Sequence, residues 1–381
     1  MNNSVDRAST SGTGKPGFIE WPFSSTLERL TRIKTGKLDA NAACDDGRYP
    51  FFTCASSPLR IDEAAYDCEC VLVAGNGDLN VKYYSGQFNA YQRTYIIESL
   101  NSDVLAVPYL YRFLDFYVAT LREQSIGGVI KYIKLGNLKD AVIPLPPIPE
   151  QNKIVAQLDC IDEGLARANT ELLKLDDLVK SRFTEMFGGE NDVKAKTLND
   201  VCSIITDGTH QPPSFSSGGV PFLLVSNIVG NRISYETNKF ISEEDCVRLM
   251  KRTPVEVGDI LVSAVGSFGH PAIVKEDKPF CFQRHIAYLK PKRELIDSNY
   301  LHAVLLSDDA QRYMDRSAKG VAQRTVTLKS FKEMPIHVPL LEHQREFAVF
   351  AQRVDKLRFD VQQQIDKLEL LKSSLMQEYF G

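Results

Sequence analysis

The chain has 381 residues, 43% of them hydrophobic and 25% charged, with a formal net charge of −4. That length predicts two or three domains with ordinary cores, and no apolar run is long enough to span a bilayer. A charge so close to neutral excludes a polycationic chain, so any basic surface must be local.

Residues 1–17 are polar and Ser/Gly-rich and are expected to form a disordered tail without a signal peptide. Ser11-Gly12-Thr13-Gly14-Lys15 resembles half a P-loop. Ser9 stands where the first glycine belongs, and Pro16 replaces the hydroxyl residue that binds magnesium, so no nucleotide site is expected there. Residues 18–145 read as a mixed α/β domain of short strands. Tyr49-Pro50-Phe51-Phe52 and Val71-Leu72-Val73-Ala74 have the composition of buried strands, and Gly75-Asn76-Gly77-Asp78 has that of a tight turn. Leu105 to Leu121 is helical by periodicity.

A proline-rich hinge, Pro146-Pro147-Ile148-Pro149-Glu150-Gln151, then opens a long charged helix over 146–188. Its apolar seam runs Ile154, Leu158, Ile161, Leu165, Ala168, Leu172, Leu175 and Val179, alternating steps of four and three. The stretch recurs without a gap 193 positions later, over 339–381: Pro146 falls on Pro339, Gln151 on Gln344, Asp162 on Asp355 and Phe187-Gly188 on Phe380-Gly381. The second seam is Phe347, Ala351, Val354, Val361, Ile365, Leu368 and Leu375, interrupted by Arg358 and Lys372. Heptad spacing sustained this far predicts coiled-coil helices, each about 55–60 Å long at 1.5 Å per residue. Neither helix can bury such a stripe alone, so each is expected to pack on the other.

Residues 192–338 repeat the first domain loosely. Asp207-Gly208-Thr209-His210 stands where the first has Lys34-Thr35-Gly36-Lys37, and Val220-Pro221-Phe222-Leu223 parallels Tyr49-Pro50-Phe51-Phe52. Gly266-Ser267-Phe268-Gly269 parallels the glycine turn, and Gln283-Arg284 is matched to Gln92-Arg93. Tyr300 to Tyr313 is the corresponding helix, and Lys319-Gly320 falls on Ile126-Gly127 at the offset of the long helices. The expected fold is therefore α+β: two similar mixed α/β domains separated by two long antiparallel coiled-coil helices, with pseudo-two-fold symmetry. The domains diverge while the helices keep length and register. Spacers of one length holding two modules with different surfaces suit a ligand read at two places, and a DNA duplex with two half-sites is such a ligand. Residues 192–340 carry nineteen Lys and Arg against seventeen Asp and Glu, so charge by itself does not decide this.

These features together resemble the specificity subunits of type I restriction–modification systems. The resemblance covers residues 18–381. It rests on the doubled hinge, Glu150-Gln151 and Phe187-Gly188, on Asp207-Gly208-Thr209-His210 with Pro221-Phe222 and Ser226-Asn227-Ile228, and on the block from Gly75-Asn76-Gly77 to Tyr91-Gln92-Arg93. The second hinge departs from the first, with Glu342-His343 where the first has Pro149-Glu150. The resemblance implies two target-recognition domains, each reading half of a split site in double-stranded DNA, and helices that also dock two methyltransferase subunits. Restriction and translocase subunits join that complex. S-adenosylmethionine, ATP and magnesium would sit on those partners and none on this chain. A cytoplasmic protein without a membrane is implied.

No catalytic site is expected in the chain itself. Pro146-Pro147-Ile148 and Gln211-Pro212-Pro213-Ser214 lack the flanks of an amino-methyltransferase turn, and Asp207, His210 and His285 lack a nucleophile motif beside them. The eight cysteines are scattered with no C-x-x-C pair, and Cys68-Glu69-Cys70 is too tight for a zinc knuckle, so no metal site is expected. The candidates are binding residues, in Gly/Asn/Thr loops that admit phosphates and in side chains able to pair with base edges. They are Lys34, Lys37, Asn76, Asn80, Lys82, Tyr91, Gln92 and Arg93 in the first domain. In the second they are Thr209, His210, Gln211, Ser267, His270, Gln283, Arg284, Lys319 and Arg324. Two other readings fit the same architecture: a DNA-binding adaptor of another defence system, and a coiled-coil protein scaffold.

Overall fold

The computed structural model describes residues 23–188, 196–211, 213–321 and 323–381. The expected tail 1–17, with its Ser11–Lys15 motif, lies outside the described residues. The chain divides into two compact units, Met1–Asn169 with Gln363–Gly381, and Thr170–Gln362.

In the first unit, β1 (Thr31–Thr35), β2 (Tyr49–Phe52), β3 (Leu59–Ile61), β4 (Tyr66–Ala74), β5 (Val81–Ala90) and β6 (Thr94–Ser99) form one sheet. Its order is β1-β6-β4-β5-β2-β3, antiparallel except where β2 runs parallel to the end of β5. Period-two alternation divides the apolar residues between two faces. Val71, Val73 and Ile97 face Leu110, Phe113 and Leu114 of α1 (Val107–Gln124), whereas Cys70, Leu72 and Ile96 pack with Phe52 and Phe88. Both faces of the Val71–Ala74 run are thus covered, which is why it reads as a continuous apolar stretch.

The second unit repeats this plan. Its strands are β7 (Cys202–Asp207), β8 (Val220–Leu223), β9 (Ile260–Ser263), β10 (Pro271–Ile273), β11 (Cys281–Phe282) and β12 (Ile286–Pro291). A four-stranded sheet in the order β7-β12-β9-β10 matches the centre of the first, and β8 pairs parallel with β11 as β2 does with β5. Here the sheet is split. The ten-residue β5 joins both halves of the first sheet, but its counterpart is broken into β10 and β11 by a segment containing Lys278-Pro279, and proline cannot donate to a ladder. The expected helix Tyr300–Tyr313 is also two helices, α3 (Ser298–Leu306) and α4 (Asp308–Ser317). Ser307 between them is extended and its side chain accepts from the Ala310 N–H, so an N-cap restarts the helix ahead of Asp308 and Asp309.

The long helices span Ile148–Phe187 (α2) and Leu341–Phe380 (α5). In the first unit the beginning of α2 and the end of α5 run antiparallel, linked by Lys372 Nζ to Asp162 Oδ1 at 2.7 Å and by Tyr379 O–H donating to Gln157 Oε1 at 2.8 Å. In the second unit the end of α2 and the beginning of α5 do the same, through Arg182–Glu346 at 3.2 Å and Arg358–Asp176. Arg358 and Lys372, the two seam interruptions, therefore each pair with an aspartate of α2, while Leu357 and Leu371 beside them are exposed. Of the seam residues, Ile154, Leu158, Ile161, Leu175, Phe347, Val354, Val361 and Ile365 are buried. Leu165, Leu172, Leu368 and Leu375 are partly so.

The repeated hinge glutamines are fully buried and make the same three bonds. Gln151 accepts from the Ala106 N–H at 2.9 Å and donates to Val104 O and Pro146 O, both at 2.8 Å. Gln344 accepts from the Asp297 N–H at 2.9 Å and donates to Leu295 O at 3.2 Å and Pro339 O at 2.8 Å. The repeated phenylalanines close the opposite ends. Phe380 packs on Tyr109, Phe113 and Phe116 in the first unit, and Phe187 on Tyr300 and Phe347 in the second. Asp162 and Asp355, also equivalent by the repeat, each hold two cations: Arg112 and Lys372 for the first, Arg232 and Lys275 for the second. Burial opposes the charge on Asp162, but hydrogen bonds from Lys372 and Arg112 outweigh it and hold its carboxyl below the usual range. Every side chain the repeat preserves at these positions thus fastens a long helix.

Candidate nucleic-acid interface

In each unit the sequence candidates gather mostly at one end of the sheet, where β1, β4 and β6 (or β7, β9 and β12) meet their loops. Gly36 and Gly208 leave the first strand by passing close over the neighbouring backbone, each donating to the first residue of the pairing strand: Thr94 O at 3.1 Å, Ile286 O at 3.3 Å. A Cβ at Gly36 would stand 2.1 Å from Ala90 O, and one at Gly208 2.2 Å from Phe282 O, so no side chain fits at either position. The chain then presents Lys37, which is exposed, in the first unit, and Thr209, His210 and Gln211 in the second.

The turn preceding β6 corrects one assignment. Tyr91 N–H donates to Phe52 O and Thr94 N–H to Tyr91 O; the equivalent bonds run from Gln283 N–H to Leu223 O and from Ile286 N–H to Gln283 O. Tyr91 therefore corresponds to Gln283, Gln92 to Arg284 and Arg93 to His285, one place away from the Gln-Arg match of the sequence. Residue identity suggested the wrong register, and strand pairing decides it. Arg93 and Arg284 are both exposed but are not equivalent. Gln92, also exposed, bonds Asp39 at 3.4 Å. Burial, with Arg284 alongside, pushes the His285 imidazole below its usual range. Thr35, Gly75, Gln92, Arg93, Tyr95 and Ile133 line a cavity of about 290 Å³ at this rim.

Most other candidates already have partners within their own unit. Lys34 pairs with Glu98 at 2.5 Å, a hydrogen bond that holds its ammonium above the usual range, and lies over the Tyr66 ring. Asn80 donates to Cys54 O and Asp78 O, both at 2.8 Å, and accepts from Lys82, whose ammonium burial pulls down. Asn80 and Lys82 hold the β4–β5 region together, and Lys34 ties β1 to β6. Asn76 is half-buried and bridges to Tyr132, and the left-handed residue of its turn is Gly77, at φ 71°. In the second unit Asp207 receives both His210 at 2.9 Å and Arg252 at 2.7 Å, and Thr209 bonds Gln211 O at 2.9 Å. Ser267 bonds His270 at 3.0 Å in the β9–β10 turn. Arg324 pairs with Asp315 at 2.7 Å and stacks over Phe268. Lys319 is exposed.

Sequence reasoning missed Lys131, His285 and Arg252 at these rims. Lys131 was within reach, since it falls on Arg324 at the 193-residue offset that had matched Gly127 with Gly320. His285 needed the corrected register. Arg252 lies after the helix Glu243–Met250, which has no counterpart among the elements of the first unit, and nothing local marks it.

Among the described residues no cluster of His, Cys, Asp or Glu is placed to hold a metal, and no helix is long and apolar enough to cross a membrane. What the rims offer is hydrogen-bonding side chains, scattered cations and close-passing backbone on a rigid sheet.

The family model for the type I restriction modification DNA specificity domain matches the chain twice, over residues 20–175 and 190–370, and the chain belongs to that family. It is similar to the type I restriction enzyme EcoDI specificity subunit of Escherichia coli, 39% identical over 162 residues, which is 42% of this chain and 36% of that one. To the EcoBI specificity subunit of the same organism it is 25% identical over 321 residues, 76% of this chain and 66% of that one. These matches thus span from about a third to about two thirds of the relatives' own length. The fold is that of an S subunit from a type I restriction-modification system of M. genitalium, with a TM-score of 0.62, 18% identity, and 97% and 98% of the two chains covered.

Proposed function

We propose that this chain is the DNA-recognition subunit of a type I restriction–modification complex, reading a bipartite site with one rim per unit. The observation that carries this reading is the doubled framework. One strand plan, one close-passing glycine and one turn are built twice, while the side chains presented there differ: Tyr91-Gln92-Arg93 against Gln283-Arg284-His285. A protein that read the same sequence twice would have no reason for the two rims to diverge. The exposed members of the first-domain set (Lys37, Gln92 and Arg93) and of the second (His210, Gln211, Ser267, His270, Arg284, Lys319 and Arg324) are the proposed contacts. On this reading the long helices also dock two methyltransferase subunits, and restriction subunits join them in the cytoplasm. Methyl transfer and ATP-driven cleavage then belong to the partners. Domain limits of 18–145, 146–188, 192–338 and 339–381 are kept as the working division for domain exchange.

The test is a methylome. The full chain is co-expressed with a type I adenine methyltransferase subunit that copurifies with it, in a host lacking adenine methylation, and modified adenines are mapped. A split motif with a fixed gap is expected, and exchanging residues 192–338 for those of a relative should change one half only. Methylation with no sequence preference would sink the reading. DNA affinity should also fall steeply with salt, as phosphate contacts require, and affinity indifferent to salt would favour the protein scaffold.

A further inference from the structure

Each unit carries a second loop that the turn residues support from below. Ile126 and Tyr132 exchange backbone hydrogen bonds of 3.0 and 2.9 Å, and Lys319 and Thr325 exchange bonds of 2.9 and 2.8 Å. Both loops open on a left-handed glycine, Gly127 at φ 118° and Gly320 at φ 106°. A Cβ there would meet the carbonyl oxygen of Ile130 or Gln323 at 2.5 Å. Both are tied to the glycine turn by matching bonds: Gly77 N–H to Lys131 O at 2.9 Å, and Gly266 N–H to Arg324 O at 3.0 Å. Both then continue into the rim, Ile133 N–H to Gly75 O at 3.0 Å and Val326 N–H to Ala264 O at 2.9 Å. The loop base is therefore fixed on two sides, next to Arg93 in one unit and His285 in the other.

The tips are a different matter. Val129 and Val321 are fully exposed and Ile130 is 63% exposed, on loops short enough to have carried polar residues instead. A cation follows each tip, Lys131 and Arg324, and Gln323 stands exposed where the first unit has Ile130. A loop whose base is paired as two strands has the width of element that a major groove admits. Apolar side chains there contact the thymine methyl group, and glutamine pairs bidentately with adenine. We propose that the hairpin Ile126–Tyr132 and the strand end carrying Gln323 enter the major groove at their respective half-sites. Val129 and Ile130 select thymine in one, and Gln323 selects adenine in the other. This rests on the DNA-recognition reading above and assigns specificity residues that neither the close-passing glycines nor the 91–93 turn supplies.

The experiment uses the full chain with its methyltransferase in the methylome assay. The unaltered chain is scored first: without a split motif both the recognition reading and this inference fall together. Given a motif, the double variant Val129→Ser, Ile130→Ser should relax one position of one half-site about fivefold or more, leaving the other half unchanged. Gln323→Ala should relax an adenine position about tenfold in the opposite half, each figure being the loss of one base contact. The half that is not altered reports that the variant is folded. Unchanged preference in both halves for both variants would overturn the proposal while leaving the recognition reading intact. So would uniform loss of methylation without any change of motif, since these elements would then be supports and not readers.

Discussion

The two units share a framework and differ at its rim, and the difference is not evenly spread. Positions that fasten a long helix repeat with the same chemistry: Gln151 and Gln344, Tyr109 and Tyr300, Phe187 and Phe380, Asp162 and Asp355. Tyr109 O–H even donates to Pro144 O as Tyr300 O–H does to His337 O, the two acceptors standing at the repeat offset. At the rims almost nothing repeats except glycine. All six histidines of the chain lie in the second unit, three of them at its rim as His210, His270 and His285. Anchorage is thus constant and presentation is variable, in a chain where both must be encoded together.

The anchors give the largest expected effects. Phe380 is buried against three aromatic rings, so Phe380→Ala should cost about 3–5 kcal/mol in the first unit. Phe187 is only half-buried, and Phe187→Ala in the second unit should cost less, about 2–3 kcal/mol on the same grounds. Urea unfolding followed by hydrogen exchange in each sheet checks the pair. Equal losses in both units from either variant would mean that the helix ends are not unit-specific anchors.

The histidine imbalance gives the next largest. His302 Nε2–H donates to Pro271 O at 3.1 Å, and burial takes its imidazole down to about 4. The unfolded chain takes up a proton near pH 6.5 and the folded one only near 4. Stability is therefore full above 6.5, falls as pH drops towards 4, and then levels. The loss is on the order of 2–3 kcal/mol and belongs to the second unit alone. In the first unit the depressed Asp162 carboxyl contributes stability that is lost only below the usual carboxylate range. Protection of the amides in β9 and β12, corrected for intrinsic exchange, should fall between pH 6.5 and 4.5 while that in β4 and β6 holds, and His302→Asn should remove the difference. Parallel loss in both sheets would assign acid sensitivity elsewhere.

How much of this was legible in the sequence follows the same division. Long-range repetition is robust to local error, so the α+β class, both long helices, their seams and the broad parallel of the two domains could be read directly. A continuous apolar run such as Val71–Ala74 announced a strand covered on both faces. What failed depended on single-residue register or on a cap. The Gln-Arg match at 92–93 and 283–284 was a coincidence of letters that backbone pairing overrules by one place. The break at Ser307 carried a visible signal, a serine followed by two aspartates, which periodicity across Tyr300–Tyr313 concealed. The roles of Gln151 and Gln344 could not be read at all, because two of the three partners of each lie 45–49 residues away and all are backbone groups. Rim candidates were the least legible: Lys34, Asn80 and Lys82 have the right chemistry but spend it on the fold.

Those glutamines supply a middle-sized effect. Each satisfies one part-buried N–H and two carbonyls, so Gln151→Ala or Gln344→Ala should cost about 2 kcal/mol by leaving them unpaired. Glutamate in place of glutamine keeps the acceptor but loses both donors and should be at least as damaging. Thermal denaturation of both alanine variants and their double tests whether the hinges act separately. Additive losses are expected for sites this distinct, whereas strong coupling would show that the two hinges are one cooperative element.

The smallest expected effect tests the corrected register at the rims. If position 92 of the first unit and 284 of the second are the same place in two copies, then removing either should relax one base position in its own half-site, by about 1 kcal/mol or roughly fivefold. Gln92→Ala and Arg284→Ala would then shift positions equally far from the gap in the recognised motif. Under the sequence alignment it is Arg93→Ala and Arg284→Ala that would shift matching positions. The geometry favours the first outcome, because Gln92 N–H bonds Leu38 O as Arg284 N–H bonds Thr209 O, each at the loop that follows the close-passing glycine. The methylation motifs of the three variants decide between the registers without any stability measurement. If instead Arg284→Ala weakened methylation at all sequences alike and lowered the salt dependence of binding, Arg284 would be a phosphate contact. Base choice in the second half-site would then fall to its neighbours at the rim.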